Sequence, residues 1–290
     1  MTDTRRTRPY SEPVVTPWKP PGYREVREHM ANPNPFKAFL LDLDGTLARA
    51  FLEVAPRVAD AVRRVSKELT VSIVSSRDYM VVGELADSLG LASLQISEGG
   101  ARVFDPKTQE TPWLRSLTSP DARRIIAFLE EHDLPFSAVD GDRKVESAGE
   151  VSDWRITRVT ATSLTPSLAR EIADRFGAMA GIHTSMIVRI DNGDWMVDFT
   201  HAAATKATAV ARYAGLVGIE PSQIIAAGDS FNDLPLLQAC GLRIAMGNAV
   251  PELKAIADYV APSVDEDGLA TAIDEFVLPA LRPTLRDQAH

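Results

Sequence analysis

Three short stretches of this sequence hold residue types that do chemistry together: Asp42-Leu43-Asp44-Gly45-Thr46, Ser75-Ser76-Arg77 and Gly228-Asp229-Ser230-Phe231-Asn232-Asp233. Each follows an apolar run of the kind that forms a buried parallel strand: Ala38–Leu41, Val71–Val74 and Ile224–Ala227. In open parallel sheets the carboxyl ends of neighbouring strands share one crevice. Four aspartates, hydroxyls and an amide therefore converge there. Crowded carboxylates repel one another unless a cation sits among them, and oxygen-only donors select a hard cation such as Mg²⁺. A carboxylate beside such an ion can attack phosphorus and form an aspartyl-phosphate. A second carboxyl group two residues on can protonate the leaving alkoxide and later deprotonate water. Gly45 permits the tight turn that brings backbone amides toward a phosphate. Lys206 opens a helix just before the sheet resumes and offers a cation for phosphoryl oxygens.

The elements that must position these groups follow from periodicity. Val58, Val62, Val65 and Leu69 recur at helical spacing after Pro56, which suits a first helical turn. Val81, Val82, Leu85, Ala86 and Leu89 predict a second helix closed by Gly90, and Leu94–Ser97 a third strand. This alternation predicts an α/β fold with a doubly wound, Rossmann-like parallel sheet. The rhythm breaks between about Trp113 and Phe199. There, helices start near Ser119 and Pro166, strand-like runs lie at Phe136–Val139, Trp154–Thr162, Ser185–Ile190 and Trp195–Phe199, and Asp191-Asn192-Gly193-Asp194 predicts a hairpin. The expected organisation is an α/β core over 36–111 and 199–290 with an inserted α+β cap domain over 112–198, placed where a lid would sit. Residues 1–35 read as a flexible arm, punctuated by Pro9, Pro13, Pro17, Pro20 and Pro21, with one short helix at Tyr23–Met30.

Composition narrows the function. The 290 residues carry a net charge of −9, which argues against nucleic acid or an anionic membrane as the main partner. The one cysteine, Cys240, excludes an internal disulfide framework and a cysteine-based zinc site. No run is apolar enough to span a bilayer and no secretory signal is evident, so a cytoplasmic protein acting on a small molecule is expected. The sequence leaves oligomeric state open.

With these motifs in order, the sequence from about Phe36 to Leu281 resembles the haloacid dehalogenase (HAD) superfamily of phosphohydrolases, in its Cof-type branch (subfamily IIB), whose cap is inserted between the second and third motifs. The resemblance implies Mg²⁺ as cofactor and a small phosphorylated metabolite as substrate. It implies Asp42 as nucleophile and metal ligand, Asp44 as general acid/base with its carbonyl on the metal, and Asp229 as metal ligand with Asp233 supporting it. It implies Ser75, with Ser76, and Lys206 and Asn232 as the phosphate-binding set. Two positions depart from the family pattern. Ser75-Ser76-Arg77 replaces Thr-Gly-Arg, and in Glu98-Gly99-Gly100-Ala101 a glycine stands where the branch often has asparagine. In the cap, Arg143 and Lys144 on a polar turn are substrate candidates, as is His201 beside the pocket. Arg155, Arg158, His183 and Arg189 are expected on a solvated strand face, and Arg77 in an ion pair. The expected enzyme is a phosphatase acting on a sugar phosphate or similar phosphomonoester. Its rivals are a sugar phosphomutase of the same superfamily and a non-catalytic phosphate-ligand binding protein.

Overall fold

Apolar strands set the frame of the core. The computed structural model describes residues 36–188 and 193–281. The expected arm, the Tyr23–Met30 helix, Arg189 and the Asp191-Asn192 half of the hairpin turn lie outside the described residues. β1 (Ala38–Asp42) is buried throughout. After it come α1 (Pro56–Val65), β2 (Thr70–Val74), α2 (Tyr79–Leu89), β3 (Gln95–Ser97), β4 (Arg102–Phe104) and β5 (Trp113–Leu114). Pro56 starts α1, and α2 stops at Gly90, whose φ of 73° is left-handed.

The insert contributes α3 (Ser119–Glu131), β6 (Phe136–Asp140), β7 (Arg143–Val145), β8 (Ile156–Leu164), α4 (Pro166–Gly177), β9 (Ile182–Val188) and β10 (Trp195–His201). Thr118 and Thr165 cap the two helices by accepting from Asp121 N and Leu168 N. The five strands form one antiparallel sheet in the order β7-β6-β8-β10-β9. Its helix-covered face buries Ile125, Leu129, Ile172, Phe176, Val197 and Phe199 in a core of its own.

The chain then returns to the first sheet through α5 (Lys206–Val217), β11 (Ile224–Gly228), α6 (Leu234–Ala239), β12 (Leu242–Ala245), α7 (Pro251–Ile256) and β13 (Tyr259–Val260). α8 (Gly268–Ala272), a wide π-type turn at Ile273–Val277 and α9 (Leu278–Leu281) follow. The sheet order is β13-β12-β11-β1-β2-β3-β4-β5. The strands from β13 to β3 are parallel, and β4 and β5 add antiparallel. Alternate β1 residues feed opposite layers: Phe39 and Leu41 pack with α1, α2 and α8, Ala38 and Leu40 with α5, α6 and α7. This is the doubly wound α/β fold that the sequence predicts.

Both expected seams fall beside the observed ones. Trp113–Leu114 pairs with β4 in the core sheet, because Trp113 opposes Val103. At the other end Phe199, Thr200 and His201 continue the ladder with β9, so the cap sheet runs past 198. Arg143 and Lys144 are strand residues of β7, not turn residues; the turn is Gly141-Asp142, with Gly141 at φ 64°. Among the described residues no helix is long and apolar enough to cross a membrane.

Candidate active site

β11, β1 and β2 are adjacent, and the three chemical loops leave their carboxyl ends side by side. Asp42 is the last residue of β1 and is almost fully buried. Two residues later the chain turns sharply, with Leu47 N and Ala48 N donating back to Leu43 O. Gly45 has φ +86°, and a Cβ there would lie 2.2 Å from Asp229 Oδ2. The glycine is therefore what lets the first loop close onto the third.

Lys206 is the first residue of α5, where Thr205 caps the helix. Its Nζ is buried between two carboxylates, 2.6 Å from Asp42 Oδ1 and 2.5 Å from Asp233 Oδ1. Gly100, with φ +100°, lets the neighbouring turn press against this helix start; a Cβ there would meet Thr205 O at 2.5 Å. The other oxygen of Asp233 accepts from Asp229 N and Ser230 N, both at 3.1 Å. Protein donors thus occupy both oxygens of Asp233, and it organises the loop that presents Asp229.

Asp42, Asp229 and Asp233 each offer an oxygen within 4.8 Å of the other two. Burial first, and then the charge of Asp233, hold the carboxyl of Asp42 well above the usual carboxylate range, against the pull of Lys206. Burial and Asp233 likewise push Asp229 up to about 7. Burial pulls Lys206 down, but Asp233 and Asp42 outweigh it and the amine is held above its ordinary value. One lysine does not balance three carboxylates. Oδ1 of Asp229 is buried and accepts no hydrogen bond. A surplus of buried negative oxygens with an orphan acceptor fits a hard divalent cation.

The structure brings together Asp42, Asp229, Asp233 and Lys206 directly. Ser75 is buried beside them at the end of β2, where its Oγ accepts from Arg77 N at 3.0 Å. Ser76 has no left-handed backbone angle, so serine in place of glycine costs no strain there. Its hydroxyl lies near the Asp198 carboxylate of the cap. It also lies 4.0 Å from where a Cβ at Gly99 would sit, so the two departures from the family pattern are neighbours. Asn232 Oδ1 accepts from Ser230 Oγ at 2.5 Å. Asp44 turns its carboxylate to Arg77, which grips it with Nε at 3.0 Å and Nη2 at 2.7 Å.

The three cap candidates are not joined to this cluster. Arg143 donates to Glu150 O at 3.2 Å and Lys144 pairs with Glu146 at 2.9 Å, both exposed on their own hairpin. His201 Nδ1 accepts from Ala203 N at 2.9 Å and so shapes the turn into α5. Arg158, expected on a solvated face, instead crosses to the core. Its Nη1 donates to Ser76 O and its Nη2 to Asp78 Oδ1. Arg102 crosses the other way, from β4 to Asp142 Oδ1 at 2.8 Å and Gly141 O at 2.6 Å. The residue that the sequence reading missed is Asn248. Its Nδ2 donates to Gly45 O at 2.9 Å and to Asp229 Oδ2 at 3.0 Å, while Oδ1 accepts from Val264 N at 2.9 Å. The signal available was Gly247-Asn248 following β12, a fourth strand end at the same crevice.

Comparison with known proteins agrees with this geometry. A family model described as haloacid dehalogenase-like hydrolase matches residues 39–157 and 155–273. The chain is 37% identical to the 5-amino-6-(5-phospho-D-ribitylamino)uracil phosphatase YwtE of Bacillus subtilis, over 83% of this chain and 98% of that one. It is 31% identical to a phosphoglycolate phosphatase of Natronomonas pharaonis, over 81% of this chain and 95% of that one. Among solved structures, the HAD subclass IIB sugar phosphatase BT4131 superposes with a TM-score of 0.72 at 21% identity, covering 83% of this chain and 99% of that one. A strand-end carboxylate cluster with its buried lysine, a cap inserted after the second loop, and a family match spanning both halves of the core converge: the chain belongs to the haloacid dehalogenase-like hydrolases, a family of enzymes, in the Cof-type branch that its motifs resemble.

Proposed function

We propose that this protein is a Mg²⁺-dependent phosphatase that hydrolyses a small phosphorylated metabolite, a sugar phosphate or similar phosphomonoester, through an aspartyl-phosphate at Asp42. The observation that carries this reading is the buried Asp42–Lys206–Asp233 contact beneath the orphan Oδ1 of Asp229. When bound, a divalent cation held by Asp42, Asp229 and the Asp44 carbonyl neutralises phosphoryl oxygens. Everything else falls to the chain's own residues. Lys206 engages Oδ1 of Asp42, so Oδ2 is left to attack phosphorus in line. Ser75, Ser76 and Asn232 orient the phosphoryl group. Asp44 gives a proton to the leaving oxygen and later takes one from the water that opens the acyl phosphate. The cap covers the crevice, and its polar face offers the leaving group Thr160, Ser185 and His183.

The relatives' names, a phosphorylated ribitylaminouracil phosphatase and a phosphoglycolate phosphatase, set the first substrates to try. Inorganic phosphate release from these compounds and from hexose and triose phosphates is measured with Mg²⁺ and with EDTA, using Asp42→Asn as the blank. Release that needs both Mg²⁺ and Asp42 is expected. Isomerisation of a hexose phosphate without phosphate release would instead mark a mutase, and tight binding without turnover a binding protein.

A further inference from the structure

Large apolar side chains left in water are informative when they share a place. Among the described residues these are Phe51, Met80, Val188, Leu216 and Phe231. Leu216 stands about 15 Å along α5 from Lys206. Phe51 and Met80 follow the first and second chemical loops, and Val188 ends β9. Phe231 lies inside the third loop, between Asp229 and Asn232, and is 56% exposed while the residues around it are bonded into the site. What approaches Phe231 comes from the cap, because β9 lies against the Phe231–Asp233 turn. The cap sheet face away from its helices looks onto the core: Arg158 reaches Ser76 O, and Thr200 borders Gly99. Residues directly opposite in a ladder share a face. Thr200 pairs with His183, Asp198 with Ser185 and Met196 with Ile187, so all six share the core-facing side. Away from the α5 end of β10 that face is polar first and then apolar, ending in Met196 and Ile187. Both are half-buried, and neither they nor Phe231 pack against the three apolar clusters of the core and cap.

We propose that Phe231 of the core, with Met196 and Ile187 of the cap, forms an apolar clamp for an aromatic ring on an uncharged leaving group. The inference rests on the phosphatase reading and narrows its substrate class. A ring held there covers Phe231 and Met196, and both a ring and a thioether pack well on an aromatic face. The phosphoryl group is bound in the same loop, at Asn232 and Asp229, so one molecule reaches both places. A second anionic group finds no welcome at this end. Residues 182–188 and 195–200 hold no lysine or arginine, and burial keeps His183 below its ordinary value. Arg158 on the same face is occupied by Ser76 O and Asp78.

The test compares kcat/KM for phenylalkyl phosphates of increasing chain length with that for ethyl phosphate. All of these leave as alkoxides, so the ratio reads the ring and not the leaving-group chemistry. The best phenylalkyl ester is expected to be preferred by about tenfold or more, chiefly through a lower KM. The cyclohexylalkyl ester of the same length is expected to be about threefold poorer than the phenyl one, and equality would overturn the aromatic assignment. Phosphoglycolate is expected to be no better than ethyl phosphate; a preference for it would overturn the uncharged leaving group. Phe231→Ala is expected to cut the ring preference about fivefold or more, and so is Met196→Ala, which lies outside the loop that presents Asp229. Because the readout is a ratio, general damage to the third loop cancels. Leu216→Ala, an equally exposed apolar residue away from the crevice, is expected to leave the ratio unchanged. A wild-type ratio near one, or a preference that survives both Phe231→Ala and Met196→Ala, would overturn the proposal. A protein that hydrolyses none of these esters is a different failure, that of the phosphatase reading. Calorimetric binding of the same phenylalkyl and ethyl phosphates to wild type and Phe231→Ala then decides the clamp by the same ratio.

Discussion

Gly45 shows how little freedom the site has at the level of single atoms. A methyl group there would sit 2.2 Å from Asp229 Oδ2 on a backbone with φ +86°. Left-handed backbone costs a non-glycine residue about 1–2 kcal/mol, and the clash adds to it. Gly45→Ala should therefore lose both stability, read as a lower Tm, and about 100-fold or more in phosphate release, since it displaces the residue proposed to hold the metal. Asn248 acts on the same oxygen without touching the reacting groups. Asn248→Ala removes the donor to Asp229 Oδ2 and to Gly45 O. Such supporting bonds are worth about 10–100-fold in metal affinity. A Mg²⁺ titration of activity should shift its midpoint by about that factor while saturating Mg²⁺ restores most of kcat. An unchanged midpoint would show that Asn248 only shapes the Val264 loop.

Elements were legible where burial leaves one reading. β1 and β11 are continuous apolar runs and β2 and β12 mainly apolar ones, and the aspartates and serine that end three of them stood out because carboxylates and hydroxyls have few reasons to close a buried strand. β4, β5 and β7 escaped notice because two or three residues cannot display a period of two. β10 ran past its expected end because Thr200 and His201 are polar yet still pair, the sheet ladder being indifferent to side chain. Arg158 and Asn248 were illegible as site residues for another reason. Their partners lie 82 and 203 residues away in the chain, so only tertiary structure reveals them. Asp140, at the end of β6, carries a prediction at this scale. Burial works against its ionisation, but the N–H groups of Asp153, Ser152 and Arg155 outweigh it and hold the carboxyl below the usual range. A lowered folded-state value means that this stabilisation is present above the unfolded-state pKa and is lost as pH falls through the folded one. Asp140→Asn should thus narrow the Tm gap to wild type as pH drops below about 4. A gap independent of pH would show that the loop 151–155 is held by other contacts.

At the scale of the whole molecule, core and cap each own an apolar cluster and meet through polar groups, chiefly Arg102 and Arg158 with their partners. An interface of charges is easier to part than one of leucines, which suits a cover that must admit and release substrate. The core, by contrast, holds its surplus of buried negative charge at all times. A cation that binds only the folded state raises stability by RT ln(1 + [L]/Kd), about 2.7 kcal/mol at 100 times Kd. Mg²⁺ should accordingly raise the Tm of the wild type, and Asp229→Asn should abolish that rise; a Tm indifferent to Mg²⁺ would count against the metal site. For the oxidation of thiols there is little to expect, because burial pushes the Cys240 thiol up to about 12.

The outermost strands of the two sheets carry one more consequence. Those of the core, β13 and β5, are two residues long, and β7 on one side of the cap has three. β9 on the other side runs for seven residues, Ile182–Val188, with no lysine to interrupt it and Val188 exposed. Unpaired backbone in a long, flat outer strand is a template for another chain. Among the described strands, liability to aggregate at high concentration is therefore gathered into this segment, and a single charge at its exposed end, Val188→Lys, is the economical way to make the protein easier to concentrate.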